Sequence, residues 1–187
     1  FLSTEDEMVI IADNVGEETK QFLEKTRKEW IDINYQIIDI VYLSIGHGAG
    51  TFKYCLDEVR ATTTKDNMNE IIYFVENDYI HCEDSREMLI EGINLGANYV
   101  TLYDHPDKYI NKENGGNPYV EGGGELTKVF VSNSCHWKLT NSTTMTLAAT
   151  RSTLLFDYFT QSIISCSILF CHPSPFRLFN FSYTFSL

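Results

Sequence analysis

The sequence predicts an α/β domain with a mainly parallel central sheet flanked by helices. Two observations predict it. Short apolar runs alternate with amphipathic stretches through the first 150 residues, the order expected of strands and helices taken in turn on a parallel sheet. Polar loops follow the apolar runs directly at Asp13, Gly46–Gly50, Glu76–Asp78 and Asp104–Asp107. In such sheets those loops gather on one edge, beyond the carboxyl ends of the strands, where ligands bind.

Met8-Val9-Ile10-Ile11-Ala12 reads as a buried strand, and Asp13-Asn14-Val15-Gly16 as the turn after it. Glu17 to Trp30 reads as a helix with Phe22, Leu23, Thr26 and Trp30 along one face. Tyr35 to Leu43 is the next strand. Gly46-His47-Gly48-Ala49-Gly50 is a Gly-rich turn, and Thr51 to Arg60 a helix with Phe52, Leu56 and Val59 inward. Ile71-Ile72-Tyr73-Phe74-Val75 is the clearest strand. Glu83 to Leu95 reads as a helix that Gly96 ends. Tyr99 to Tyr103 is a further strand. A Gly-, Asn- and Pro-rich loop then runs from Asp107 to Glu125, a length usual for functional or mobile loops. Lys128–Ser132 and Thr143–Ala148 read as strands that extend the sheet in mixed fashion.

The chain of 187 residues suits one domain with a sizeable core, and 43% hydrophobic with 21% charged residues is a soluble globular composition. Its formal net charge of −12 argues against a nucleic-acid partner, which needs clustered Lys and Arg. A divalent cation would still let an acidic protein meet a diphosphate, although a solvated acidic surface accounts for the charge by itself. Five scattered cysteines, with no CxxC pair, speak against a structural zinc site and for reduced thiols in the cytoplasm. Asn141-Ser142-Thr143 matches a glycosylation sequon, a short pattern common by chance. No apolar run reaches the ~18 residues a membrane-spanning helix needs.

Residues 153–187 differ in composition. Their only charges are Asp157 and Arg177, among nine aromatics and two cysteines, without a clear helical or strand period. The expected division is therefore a core over 1–152 and an atypical aromatic-rich tail over 153–187, which reads as a membrane-associated segment, a set of core strands, or, foremost, sequence not native to the domain. Membrane association is not expected for the core and stays open for the tail.

Glu76-Asn77-Asp78 follows the clearest strand directly. Carboxylates at its outer positions can meet a hard divalent cation that keeps places open for phosphate oxygens. An acidic surface turn has the same spacing. The surrounding residues favour the first reading. Tyr73 to His81, Gly96 to Tyr109, and Ser134 to Lys138 with Asn141 to Thr146 resemble, in this order, segments of GT-A glycosyltransferases close to family 2, of the chlorovirus-type and bacterial kind. The resemblance covers roughly residues 7 to 150. It implies a GT-A fold, truncated here ahead of its first strand, before Phe1. It implies sugar transfer from a nucleotide-diphosphate donor, UDP-linked, to a glycan or other hydroxyl acceptor, with Mn2+ or Mg2+. The family reads Glu-Asp-Asp where this chain has Glu76-Asn77-Asp78, so Asp78, with Glu76, is the expected metal ligand, and Asn77 weakens the site. No GxxxxGK loop points to phosphotransfer instead.

The resemblance also implies that Asp13 accepts a hydrogen bond from the nucleotide base, while Asp13-Asn14 reads equally as an Asx-type turn. The amides of Gly48 to Lys53, opening a helix, could face ligand oxygens. An inverting transfer needs a base; Asp104 leads, then Asp107 and Glu121, although Asp104-His105-Pro106-Asp107 also reads as a Pro-stabilised turn. His136 could donate to a phosphate and Trp137 stack on a sugar, or the two could form a half-buried aromatic pair on a strand connection.

Overall fold

The computed structural model describes residues 3, 5–32, 37–103, 110–116, 129–139, 146–160 and 176–183. They form a mixed α/β fold: β1 (Glu7–Asp13), α1 (Glu17–Asp32), β2 (Ile37–Leu43), α2 (Gly48–Ala61), β3 (Ile71–Glu76), α3 (Ser85–Asn94), β4 (Val129–Val131), β5 (His136–Lys138), β6 (Leu147–Thr150), α4 (Arg151–Thr160) and β7 (Phe176–Tyr183). Five strands make one sheet in the order β2-β1-β7-β3-β6. β2, β1, β7 and β3 run parallel, and β6 closes one edge antiparallel to β3. β4 and β5 form a separate antiparallel ribbon.

The core follows from strand alternation, since successive side chains point to opposite faces. Met8, Ile71, Tyr73 and Val75 pack on one face with Leu89 and Ile90 of α3, Val100, Ala148 and Trp137. Val9, Ile11, Ile72 and Phe74 pack on the other with Cys55 and Val59 of α2. Because both faces are covered, β3 is an unbroken apolar run, buried from Ile71 to Val75. Full burial of a side chain such as Ile72 or Phe74 stabilises by about 1.5–3 kcal/mol.

The structure departs from several of the expected elements. α1 buries no residue, and Phe22 of its expected inward face is 65% exposed. The helix lies against β2 at the sheet edge, so only its far end reaches the core, through Trp30. Tyr99–Tyr103 is not a strand. Tyr99 and Val100 make only isolated bridges, Val100 with Ala148 through bonds of 2.8 and 2.7 Å, and Thr101 Oγ1 then accepts the Tyr103 N–H at 3.1 Å. A side-chain acceptor thus takes a donor the ladder would need. Gly96 does end α3, in the left-handed region at φ 86°. The expected boundary after residue 152 falls inside α4, and β7, from the tail, lies between β1 and β3.

Two buried arginines pin these layers. Arg86 of α3 makes a two-pronged pair with Asp6, at 2.8 Å from both Nε and Nη2. Arg151 opens α4. Its Nε donates to Glu70 at 2.8 Å, and its Nη1 donates to the Val59 carbonyl and Thr62 Oγ1 at 3.0 Å each.

Candidate functional site

Because β1, β2 and β3 are parallel, Asp13, the loop after Leu43 and Glu76 meet at one edge of the sheet. Chain order reverses there. β2 lies on one side of β1, and β3 lies on the other side beyond β7. Asp13 and Glu76 stand two strand spacings apart, ~10 Å across the sheet.

Asp13 is 2% exposed. Its carboxylate accepts the N–H groups of Ile45 at 2.7 Å and Gly46 at 2.8 Å, and the Thr51 hydroxyl at 2.8 Å. Asn14 turns the chain in the left-handed region, φ 56°, and donates to the Leu43 carbonyl at 3.0 Å. Asp13 therefore holds the loop between β2 and α2. The Gly-rich turn spends its amides internally as well. His47 caps α2, its Nδ1 accepting the Gly50 N–H at 3.0 Å. A Cβ on Gly50 would stand 2.5 Å from Ile45 Cγ2 and 2.6 Å from His47 Cε1, so a larger residue there would push both side chains aside and disturb the cap.

Glu76 ends β3 half-buried, and Asn77 and Asp78 are exposed. The Tyr79 N–H returns to the Glu76 carbonyl at 3.4 Å, so the three residues form a tight turn. Thr146 Oγ1 accepts the Glu76 N–H at 3.2 Å and donates to Glu76 Oε2 at 3.1 Å. Burial raises the Glu76 pKa, the Thr146 bond opposes this, and the charge of Asp78 raises it further. Among the described residues neither carboxylate forms an ion pair, so a cation between them would relieve their repulsion. Nor is there, among the described residues, a cluster of three or more His, Cys, Asp or Glu able to hold a metal. The pair fits the mode in which one or two carboxylates share a divalent cation with substrate phosphates and water.

The loop beyond the motif is anchored from below. Tyr73 of β3 and His81 share a 2.8 Å hydrogen bond, with their rings edge to face. Burial lowers the His81 pKa and raises that of Tyr73, which keeps both neutral. Tyr79 meets Tyr103 edge to face, centroids 5.4 Å apart.

The His136-Trp137 pair divides across β5. His136 is exposed, whereas Trp137 is 6% exposed, packs in the core, and donates its indole N–H to Ser132 Oγ at 3.0 Å. The expectation that Trp137 stacks on a sugar is corrected: the ring is a core residue, because adjacent strand positions face opposite ways. Asp104, Asp107 and Glu121 lie outside the described residues. Sequence reasoning missed the roles of Ser132 and Thr146, and took His81 for a loop or capping residue rather than the partner of Tyr73. Both His81 and Thr146 carried a signal, as the last residues of the first and third resembling segments.

Among the described residues, no helix is long and apolar enough to cross a membrane. No family model, curated protein or solved structure matches the chain.

Proposed function

We propose that this chain is the nucleotide-sugar-binding core of a metal-dependent GT-A glycosyltransferase, moving a sugar from a nucleotide-diphosphate donor, UDP-linked, to a glycan or other hydroxyl acceptor. The observation that carries the reading is the pair of carboxylates, Glu76 and Asp78, without an ion pair among the described residues, at the carboxyl end of a buried parallel strand. That is where an open α/β sheet binds its ligands. The mixed α/β architecture, parallel except for one edge strand, is compatible with the GT-A fold that the resembling segments imply.

In this reading Asp78 and Glu76 hold Mn2+ or Mg2+. The bound cation supplies Lewis-acid screening of the leaving diphosphate. Asp13 braces the wall of the site on the β1 side. Its contact with a uracil imide N–H would use the one acceptor position its three hydrogen bonds leave, and needs the loop to open, because the carboxylate is buried. His136, exposed on β5, donates to a phosphate oxygen. Asp104, or after it Asp107, deprotonates the acceptor hydroxyl on the side opposite the leaving group. The thiols of Cys55, Cys82 and Cys135, free among the described residues, suit a reducing, cytoplasmic setting.

Titration of the full-length protein with UDP-sugars, with and without Mn2+, tests the reading. The expected result is saturable binding that requires the cation and is lost in Asp78→Ala. A folded protein that binds no nucleotide sugar in either condition ends it. Asn77, an amide where the family carries an acid, favours a second reading: a descendant that binds nucleotide or glycan without turnover. Sugar transfer to any acceptor, abolished by Asp78→Ala, would sink that alternative.

A further inference from the structure

We infer that Thr146 is the positioning residue of the acidic motif: its hydroxyl fixes Oε2 of Glu76 and turns Oε1 toward a divalent cation. The inference rests on the functional reading above and extends it to a residue outside the motif.

The geometry follows from strand register. β6 runs antiparallel to β3 with Leu147 opposite Phe74. One step further along the same ladder brings residue 146 beside Val75 and within reach of Glu76. Thr146 is 2% exposed, so its hydroxyl must find protein partners. Two of its bonds go to one residue: it accepts the Glu76 N–H at 3.2 Å and donates to Glu76 Oε2 at 3.1 Å. A hydroxyl has one proton and two lone pairs, so it makes both bonds at once.

The consequence is a closed ring from the Glu76 backbone through Thr146 to the Glu76 carboxylate. Such a ring restricts the rotation of a side chain that otherwise samples several rotamers at a strand end. Oε1 accepts no hydrogen bond among the described residues. Groups that hydrogen-bond a metal-ligating side chain set its direction, and their removal typically weakens metal binding by ~10–100-fold.

Mn2+ alone, titrated into the intact protein and followed by electron paramagnetic resonance, tests this in wild type, Thr146→Val, Thr146→Ser and Asp78→Ala. Metal-free thermal midpoints are recorded beside each titration. The expected result is that Thr146→Val weakens Mn2+ binding about tenfold, that Thr146→Ser restores it, and that Asp78→Ala abolishes it. Wild-type affinity in Thr146→Val overturns the inference and leaves the functional reading standing. Equal weakening in the valine and serine variants also overturns it, since the hydroxyl is then not the cause. Mn2+ binding that survives Asp78→Ala places the ion elsewhere and overturns it too. No Mn2+ binding by wild type ends both the inference and the metal-dependent reading. Should Thr146→Val fail to fold, Thr146→Ala removes the same hydroxyl and gives the same comparison.

Discussion

The Asp13 carboxylate takes up two backbone N–H groups and a buried hydroxyl that lie 32 to 38 residues further along the chain. Asp13→Ala leaves all three donors without this acceptor. Partly buried donors stripped of a charged partner cost about 2–3 kcal/mol. Chemical denaturation should show that loss, with faster hydrogen exchange at the Ile45 and Gly46 amides. Asp13→Asn keeps an acceptor oxygen and should lose less. A stability unchanged in the alanine variant would mean the loop is held by other contacts. At the motif, Asn77→Asp adds the acid that the resembling family carries. Mn2+ should then bind several-fold more tightly, and a titration showing no gain would remove Asn77 as the weak point. Both sites were legible in the sequence as acids beyond apolar runs. What the pattern could not reveal was direction. Asp13 turns into its neighbour loop, and Trp137 turns into the core, because burial depends on which element covers each face.

Elements are joined by the two arginines, and here charge makes the stability of the fold depend on pH. Burial alone would raise the Asp6 pKa, but the Arg86 and Ser3 hydrogen bonds and the Arg86 charge outweigh it, and the net shift is downward. The folded state therefore prefers the carboxylate. Its contribution is complete above the unfolded value of about 3.9 and is lost as pH falls through the lower folded value. Arg86→Met leaves Asp6 buried without its cation, at a cost of about 3–5 kcal/mol near pH 7. The variant should also lose the acid-side decline that Asp6 gives wild type, because protonation then relieves the buried charge. Denaturation curves at neutral pH and near pH 3 check both statements. Arg151 joins the end of α2 to the approach to β3, and Arg151→Lys should not rescue it, because one ammonium cannot reproduce a planar fork that reaches Glu70 and the Val59 carbonyl together. Neither arginine stood out in the sequence. The carboxylates they hydrogen-bond, Asp6 and Glu70, lie 80 and 81 residues away, beyond any local pattern.

At the scale of the whole molecule, the alternation of apolar runs and helices gave the parallel α/β class, and β1, α1, β2, α2, β3 and α3 follow it in order. β7 does not follow from that pattern. The alternation in Phe179-Asn180-Phe181-Ser182-Tyr183 is short and sits in a tail of serines and aromatics without a clear overall period, yet the backbone of β7 pairs with both β1 and β3. Without it, β1 and β3 would each present an open row of backbone donors and acceptors in the middle of the molecule. Such edges are templates for association with other chains. The two halves of the site, Asp13 on one side and Glu76 on the other, would also lose the strand that sets their separation. A chain ending at Thr160 should therefore unfold without a single cooperative transition, or self-associate. The amides of β1 and β3 should then exchange far faster than in the full chain, as native-state hydrogen exchange would record. A shortened chain that melts cooperatively, with those amides still protected, would show that the sheet closes without β7 and that the core is complete by the end of α4.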